Sequence, residues 1–510
     1  MRLRYPLPAF LGLLALSTGL TYWRCAAFPF FQDDWGWLYK FSAAGPASVI
    51  RSILSFKGTL FYRPLPQLYM LAMYHLFGPN PAPFHVAALS IHFLNAVLVA
   101  FIIRKITNNG RIAYVASLLY ALSISVNLDP LLWMVGSYEL LCAFFFFLSF
   151  LLYLHGKLFL SVASFACSII SKESSFMLPA IFLSYRLIYR TQSEDREEGP
   201  YGRGEVAAGI LFALIMALSL LPKVVSGIFY VNFPSTHPYL MKPLGAHVLI
   251  NLYAYPAWML RTFLPFFTIR QPAFVAFFVL VAVYLVLCLK NVLLKAKDKD
   301  IAAHLLFFFL WAGLALAPAI PLVNHRFSYY SVYALPAFLA LVIMLFENGS
   351  GTKTIRLDIV AVCVVIAVAG ASIYQSGEIF RHRRQDTVRR ALAADEVRRD
   401  LMRRLPALPH GSVLIFDGVD TEAFANEYGP RFWYRDRSID VYKLDKIESD
   451  GKGIYVLDVS DESEKVTLLG GQYRKRYIEP AKAYVLRLAG NGLALVDIRS
   501  VFPILPKDSR

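Results

Sequence analysis

Residues 84–103 read FHVAALSIHFLNAVLVAFII, twenty positions without an Asp, Glu, Lys or Arg, closed at once by Arg104 and Lys105. As a helix rising 1.5 Å per residue this stretch is about 30 Å long, the thickness of a bilayer's hydrocarbon core. Outward from it, comparable apolar runs occupy roughly 6–23, 111–128, 131–154, 158–171, 175–190, 206–225, 273–291, 301–322, 327–346 and 356–376. The expectation is an α-helical polytopic membrane protein of about 11 spans. Two ambiguous stretches, Leu65–Phe77 and His247–Phe267, would raise that to about 12 or 13 if they crossed. Pro256, Arg261 and Pro265 favour an interfacial or re-entrant segment for the second. Composition agrees, since the 510 residues are 57% hydrophobic and only 17% charged, against about 25% charged in soluble domains.

The net charge of +16 would suit a nucleic-acid partner, but its placement argues for none. Many Lys and Arg sit in short loops between apolar runs, the positive-inside pattern. With Arg2 and Arg4 inside, the span count also puts Arg104, Lys105, Arg111, Lys157, Arg186, Arg190 and Arg203 inside. The same holds for Lys290, Lys295, Lys297, Lys299, Lys353 and Arg356. This parity exports the loops 24–83 and 226–272 and everything after about 377. Arg381, Arg383, Arg384, Arg389 and Arg390, directly after the last span, pull the other way. Met1–Arg4 and the run Leu7–Trp23 have the form of a signal sequence without a clean cleavage site, which reads as an uncleaved first helix. The five cysteines lie in or beside apolar segments and show neither a disulfide framework nor zinc spacing.

Near residue 380 the composition changes. A basic helix is expected over Arg381–Arg404, stopped by Pro406 and Pro409, then strands at Val413–Phe416, Ile454–Leu457, Tyr484–Leu488 and Leu493–Ile498. The chain thus divides into a membrane domain, 1–378, and a small extracytoplasmic α/β soluble domain, 379–510. Compact loops suggest a bacterial inner membrane, with the exported loops and C-terminal domain facing the periplasm or exterior.

Asp33 and Asp34 follow the first span among Phe28, Phe30, Phe31, Trp35, Trp37 and Tyr39. Adjacent carboxylates repel, which raises the pKa of one and suits general-base work or a divalent cation such as Mg or Mn. Alone, such a pair is more often a helix cap in a solvated turn. The parity places further polar groups at the same face: Arg63, Asp129 in the turn between the third and fourth spans, Glu139, Lys172 and Glu173, and His325 with Arg326. Charges near spans are expensive and commonly functional, and Lys172 and Arg326 offer what a phosphate needs. His85 and His92, seven apart on one face of a span with Asn95, read first as interhelical hydrogen bonding.

The order of these residues resembles the type C membrane glycosyltransferases (GT-C), above all the transmembrane-and-tetratricopeptide-repeat and protein O-mannosyltransferase-like families. The similarity runs through Asp33-Asp34, Tyr62-Arg63-Pro64-Leu65, and Phe84-His85 with His92 and Asn95. It continues in Trp133-x-x-Gly136 with Glu139-Leu140-Leu141, Ser171-Lys172-Glu173 with Leu178-Pro179, and His325-Arg326-Phe327 with Tyr329 or Tyr330. It covers roughly residues 28–335. Ser137 stands where the family has Arg and His325 where it has Glu, and no tetratricopeptide repeats follow.

The resemblance implies an inverting transfer from a polyprenyl-phosphate sugar, seated in membrane lipid, to a hydroxyl of a glycan, glycolipid or protein acceptor on the outer side. Asp33 or Asp34, with Asp33 favoured, would take the hydroxyl proton. Lys172 and Arg326, with Arg63 behind them, would neutralise the leaving phosphate, supported by Asp129, Glu139, Glu173, His85 and His325. A divalent cation is compatible with the Asp pair and not required. Two other classes stay open: a transporter or flippase of lipid-linked glycans, and a non-enzymatic assembly protein. Transporters usually carry internal repeats and mid-membrane charges, whereas here the charges gather at span ends.

Overall fold

The computed structural model describes residues 7–55, 61–190, 203–226, 232–295, 299–349, 354–449, 454–459, 473–489 and 492–502. Arg2, Arg4, Lys297 and Lys353, which entered the sidedness reading, lie outside the described residues. The chain forms two compact units, Met1–Phe28 with Ile50–His382, and Pro29–Val49 with Arg383–Arg510. The second unit therefore takes in the Asp33-Asp34 segment.

The first unit is helical. In chain order it holds α1 (Leu7–Tyr22), then, past α2 (Asp33–Ala43) and α3 (Pro46–Leu54), α4 (Pro64–Phe77), α5 (Pro81–Thr107), α6 (Gly110–Leu122) and α7 (Ile124–Leu132). After these come α8 (Ser137–Leu154), α9 (Leu158–Ile169), α10 (Leu178–Arg190), α11 (Arg203–Ser226) and α12 (Ala246–Leu260). It closes with α13 (Pro272–Lys295), α14 (Lys299–Leu316), α15 (Leu335–Gly349) and α16 (Thr354–His382). Every expected span falls on these helices, the third on both α6 and α7. Five helical stretches among the described residues are long and apolar enough to cross a membrane alone, and α6 with α7, bent by 52°, makes a sixth. Helices α9, α14 and α15 are apolar but shorter. On α13, Leu280 and Val286 are 68% and 63% exposed, and on α11 Ile210 is 62% exposed. A contiguous apolar surface of that kind is lipid-facing. This is a polytopic membrane protein.

Within the bundle, serines tie helices across apolar contacts. Ser149 on α8 and Ser161 on α9 each donate to the other's carbonyl at 2.8 Å, which brings their hydroxyl oxygens within 3.1 Å. Ser117 on α6 donates to the Ala96 carbonyl of α5 at 2.7 Å. The third expected span is broken at Ser123, and the carbonyls freed there are recovered. Asn127 donates to Tyr120 at 2.7 Å and Ser372 of α16 to Leu122 at 3.0 Å. Every break at membrane depth needs such partners.

The second unit adds α17 (Asp386–Arg404) and α18 (Tyr428–Tyr434) to seven strands. These are β1 (Val413–Asp417), β2 (Asp440–Lys443), β3 (Ile447–Ser449), β4 (Ile454–Val459), β5 (Tyr473–Ile478), β6 (Ala483–Ala489) and β7 (Gly492–Val496). One sheet has the order β2-β1-β6-β7, with β1 parallel to both neighbours and β7 antiparallel to β6. The other is β3-β4-β5, antiparallel throughout. Val413, Ile415 and Val485 pack with Ile454, Val456 and Ile478 as the core between them. The expected basic helix begins later than its charges suggest. Helix α16 continues to His382, Arg383 takes φ 49°, and α17 starts at Asp386, a carboxylate in its first turn.

Candidate functional site

Asp33 and Asp34 open α2, where unpaired N–H groups and the positive end of the helix dipole favour carboxylates. From there the two diverge. Asp34 is fully buried, and its Oδ2 accepts the Phe31 N–H at 3.0 Å while its own N–H donates to the Phe31 carbonyl at 3.1 Å. Asp33 faces outward, and desolvation by the surrounding protein raises its carboxyl above the ordinary aspartate value. The cause is therefore desolvation, not the carboxylate repulsion expected from sequence.

The second unit holds this turn in a backbone conformation that is uncommon for a side-chain-bearing residue. Gln32 has φ 47° and ψ −121°. Its N–H donates to the Ala423 carbonyl at 2.9 Å. With the amide oxygen turned toward Arg390 of α17, Gln32 accepts from both terminal nitrogens at 3.1 and 3.2 Å. Arg390 also lies 5.6 Å over the Phe31 ring and donates to Asp420 at 2.6 Å. Trp35 packs on Trp433 with centroids 5.4 Å apart, and Tyr39 on Tyr428 at 5.5 Å. Those aromatics around the Asp pair are thus core of the second unit.

In the first unit a polar cluster gathers Arg63, Glu139, Lys172, Glu173 and His325. Glu139 on α8 accepts from Lys172 at 2.5 Å and from the Tyr333 hydroxyl at 2.5 Å, with both charged side chains under 10% exposed. Lys172 lies 4.9 Å over the rings of both Tyr329 and Tyr330. Arg63 makes a two-pronged pair with Glu173 at 3.0 and 2.8 Å and stacks over Phe61 and Tyr138. Burial pushes the Glu173 carboxyl up, but Arg63 outweighs it and holds the group down at about 2. His325 stacks on Tyr239 at 4.2 Å and meets the Tyr330 hydroxyl at 3.0 Å. Burial, then Lys172 and Arg63, push it down to about 3, so it is neutral near pH 7.

Lys172 and Arg63, read from sequence as groups that would neutralise the leaving phosphate, each have a carboxylate partner. Arg326 has no ion pair among the described residues; its Nε donates to Asn251 Oδ1 at 2.5 Å. Asn251 on α12 is itself aimed by donating to the carbonyls of Ile320 and Leu322 at 2.8 and 2.9 Å. Asp129 lies on α7 and not in a tight turn, within electrostatic reach of Tyr329. The turn proper is Trp133–Gly136, and a Cβ at Gly136 would sit 2.1 Å from the Pro130 carbonyl oxygen, which accounts for glycine there. His85, His92 and Asn95 are buried and bonded to the carbonyls of Leu131, Ala121 and Leu140, the packing role read first.

Sequence reading passed over Asn251, Tyr333 and Lys223. Asn251 and Lys223 were detectable as lone polar residues in apolar stretches. Lys223, at the end of α11, lines a cavity of about 360 Å³ between α9 and α11 with Glu173, Phe61, Ile169 and Leu221. Among the described residues no group of three or more His, Cys, Asp or Glu side chains is arranged to hold a metal.

No family model and no curated protein sequence matches this chain. Among solved structures, ArnT from Cupriavidus metallidurans bound to undecaprenyl phosphate is 12% identical over 99% of this chain and 100% of its own, with a TM-score of 0.52. The apo oligosaccharyltransferase of Archaeoglobus fulgidus is 12% identical over 84% of this chain and 64% of its own, at 0.45. AglB from Archaeoglobus fulgidus, in complex with an inhibitory peptide and a dolichol-phosphate, is 11% identical over 94% and 69%, at 0.42. At these identities the likeness concerns fold, and the full-length match to the first structure carries it. This chain has the fold of the solved ArnT structure.

Proposed function

We propose that this protein transfers a sugar from a polyprenyl-phosphate donor to an acceptor hydroxyl, with inversion at the anomeric carbon. The observation that carries the reading is the division of labour at the start of α2. Asp34 is consumed in fixing the turn, and Asp33 is left outward with a raised pKa, as a base needs.

In the step proposed, Asp33 takes the proton of the acceptor hydroxyl as its oxygen bonds to the anomeric carbon. The bond from that carbon to the phosphate oxygen breaks, and its electron pair leaves with the polyprenyl phosphate. Arg326 is the group we assign to the developing phosphate charge, because Asn251 positions it without neutralising it. Lys172 and Arg63 act through their acids, Glu139 and Glu173, as the frame of the pocket. The apolar cavity beside Lys223 suits a prenyl chain with its charged head at the mouth. A divalent cation, where one is used, would have Asp33 as its first ligand. The acceptor is a glycan, glycolipid or protein, and the outer face of a bacterial inner membrane is the setting we favour.

The test is sugar transfer by the purified protein in lipid nanodiscs, supplied with undecaprenyl-phosphate sugars and glycolipid or peptide acceptors. Loss of transfer in Asp33→Asn, with folding retained, supports the reading. No donor consumed by wild type, and full cellular function in both Asp33→Asn and Asp34→Asn, would move the protein to the transport or assembly class.

A further inference from the structure

The second unit holds a cavity of about 490 Å³ that the proposed transfer step does not use. It opens at the carboxyl ends of β1 and β6, walled by Arg389, Arg390, Ala393 and Glu396 of α17, by Asp420 after β1, and by Leu488 at the end of β6. These strands are parallel neighbours whose chains depart in opposite directions. After β1 the chain goes to β2 on one side, and after β6 it goes to β7 on the other. In open α/β sheets, such a reversal of strand order leaves a crevice in which ligands bind.

The lining decides the ligand class. Two guanidiniums and two carboxylates face the cavity, and the remaining wall is small and apolar. An anion would meet Asp420 and Glu396, and a cation would meet the arginines. A neutral polyhydroxylated ligand can use both, giving hydroxyl hydrogens to the acids and taking N–H bonds from the arginines. Two of the existing pairs yield readily, while Arg390 stays paired with Asp420, their side chains 25% and 43% exposed. Arg389 and Asp386 have side chains 66% and 64% exposed, and Arg383 and Glu396 43% and 38%, so these pairs contribute little and can be exchanged for a ligand. The volume lies within the roughly 300–1,000 Å³ of small-molecule sites.

We infer that this crevice of the second unit binds a neutral saccharide. That this saccharide is part of the acceptor rests on the transfer reaction proposed above. Arg390 makes the link, because the side chain that walls the crevice also holds Gln32, the residue before Asp33.

The experiment is binding of maltose, lactose, mannobiose and chitobiose to the full-length protein in nanodiscs, by saturation-transfer NMR and calorimetry. At least one should bind, and Ala393→Trp, at an exposed position that fills the opening, should weaken it tenfold or more. Glu396→Gln should weaken it in the same direction, with thermal denaturation confirming that both variants fold. No binding by any of the four, or binding indifferent to both crevice variants, overturns the proposal. So does displacement of the saccharide by millimolar inorganic phosphate, which would mark an anion site instead. Because binding is read apart from turnover, failure of the transfer test above leaves the crevice standing, and failure of saccharide binding leaves the transfer reading standing.

Discussion

Asp33 when ionised costs the fold stability, because a carboxyl whose pKa is raised on folding keeps its proton better in the native than in the unfolded state. Between the ordinary aspartate value and the raised one, stability falls as pH rises, and the penalty persists at neutral pH. Asp33→Asn should therefore melt at the same temperature as wild type or slightly above it at pH 7, while transfer falls by about 10²-fold or more. The base must be deprotonated, so wild-type kcat/KM should rise with pH through a value above the usual aspartate range. That acid limb should vanish in the Asn variant. An Asp33→Asn enzyme with wild-type turnover would remove Asp33 from the chemistry. Asp34 should behave in the opposite way. Its buried carboxylate takes the Phe31 N–H, so Asp34→Ala should cost about 1–3 kcal/mol in denaturant unfolding. The adjacency of the pair was legible in the sequence. Their division was not, because it depends on which residue of the first helical turn faces inward, and that is set by packing against α18 some 400 residues away in the chain.

Between elements, the pair that joins α8 to the segment before α10 distinguishes a catalytic cation from a structural one. Glu139 and Lys172 are both nearly sealed from solvent, and each charge is tolerable only because the other is present. Glu139→Gln leaves Lys172 without its counter-charge and should destabilise the protein by about 3–5 kcal/mol. The double variant Glu139→Gln/Lys172→Met removes both charges and should recover most of that loss. We expect the double variant, once folded, to keep transfer within tenfold of wild type, whereas Arg326→Gln loses more and raises KM for the lipid donor. The reverse ranking, measured by single-turnover transfer at varied donor, would return the phosphate to Lys172. Sequence showed these groups as charges near span ends but not as couples, since partner choice is a long-range property. The same limit applies to strands. β1, β4, β6 and β7 were legible from apolar runs, while β2 (Asp440–Lys443), β3 (Ile447–Ser449) and β5 (Tyr473–Ile478) are short or basic and take their state from neighbours. The break at Ser123 was hidden for a like reason, because Ser372, which satisfies the freed Leu122 carbonyl, comes from a remote helix.

For the whole molecule, hydropathy made the helices legible because a span is a local composition, whereas the side on which the C-terminal region lies was left in conflict. The make-up of the second unit puts both of its segments on one side. Gln32 bonds to Ala423, and Trp35 and Tyr39 pack on Trp433 and Tyr428, so Pro29–Val49 and Arg383–Arg510 share one core. No bilayer can run through a shared core, so an even number of crossings must separate Phe28 from Arg383. About 11 expected spans less α1 leave about 10, which is even. Adding α12 alone as a crossing would make the number odd, so parity disfavours it unless α4 crosses as well. The basic residues from Arg383 to Arg390, which share the second unit with Asp33, then lie on its side of the membrane. In a variant with the five cysteines replaced by serine, single cysteines at Ser42, Arg435 and Lys105 test this with a membrane-impermeant maleimide on sealed vesicles. All three positions are exposed. Ser42→Cys and Arg435→Cys should label together from one face and Lys105→Cys only from the other. Labelling of Ser42→Cys and Arg435→Cys from opposite faces would mean that the shared core does not form in the membrane. Asp33 would then be parted from the Arg390 that holds its turn, and the acceptor crevice would lose its connection to the base.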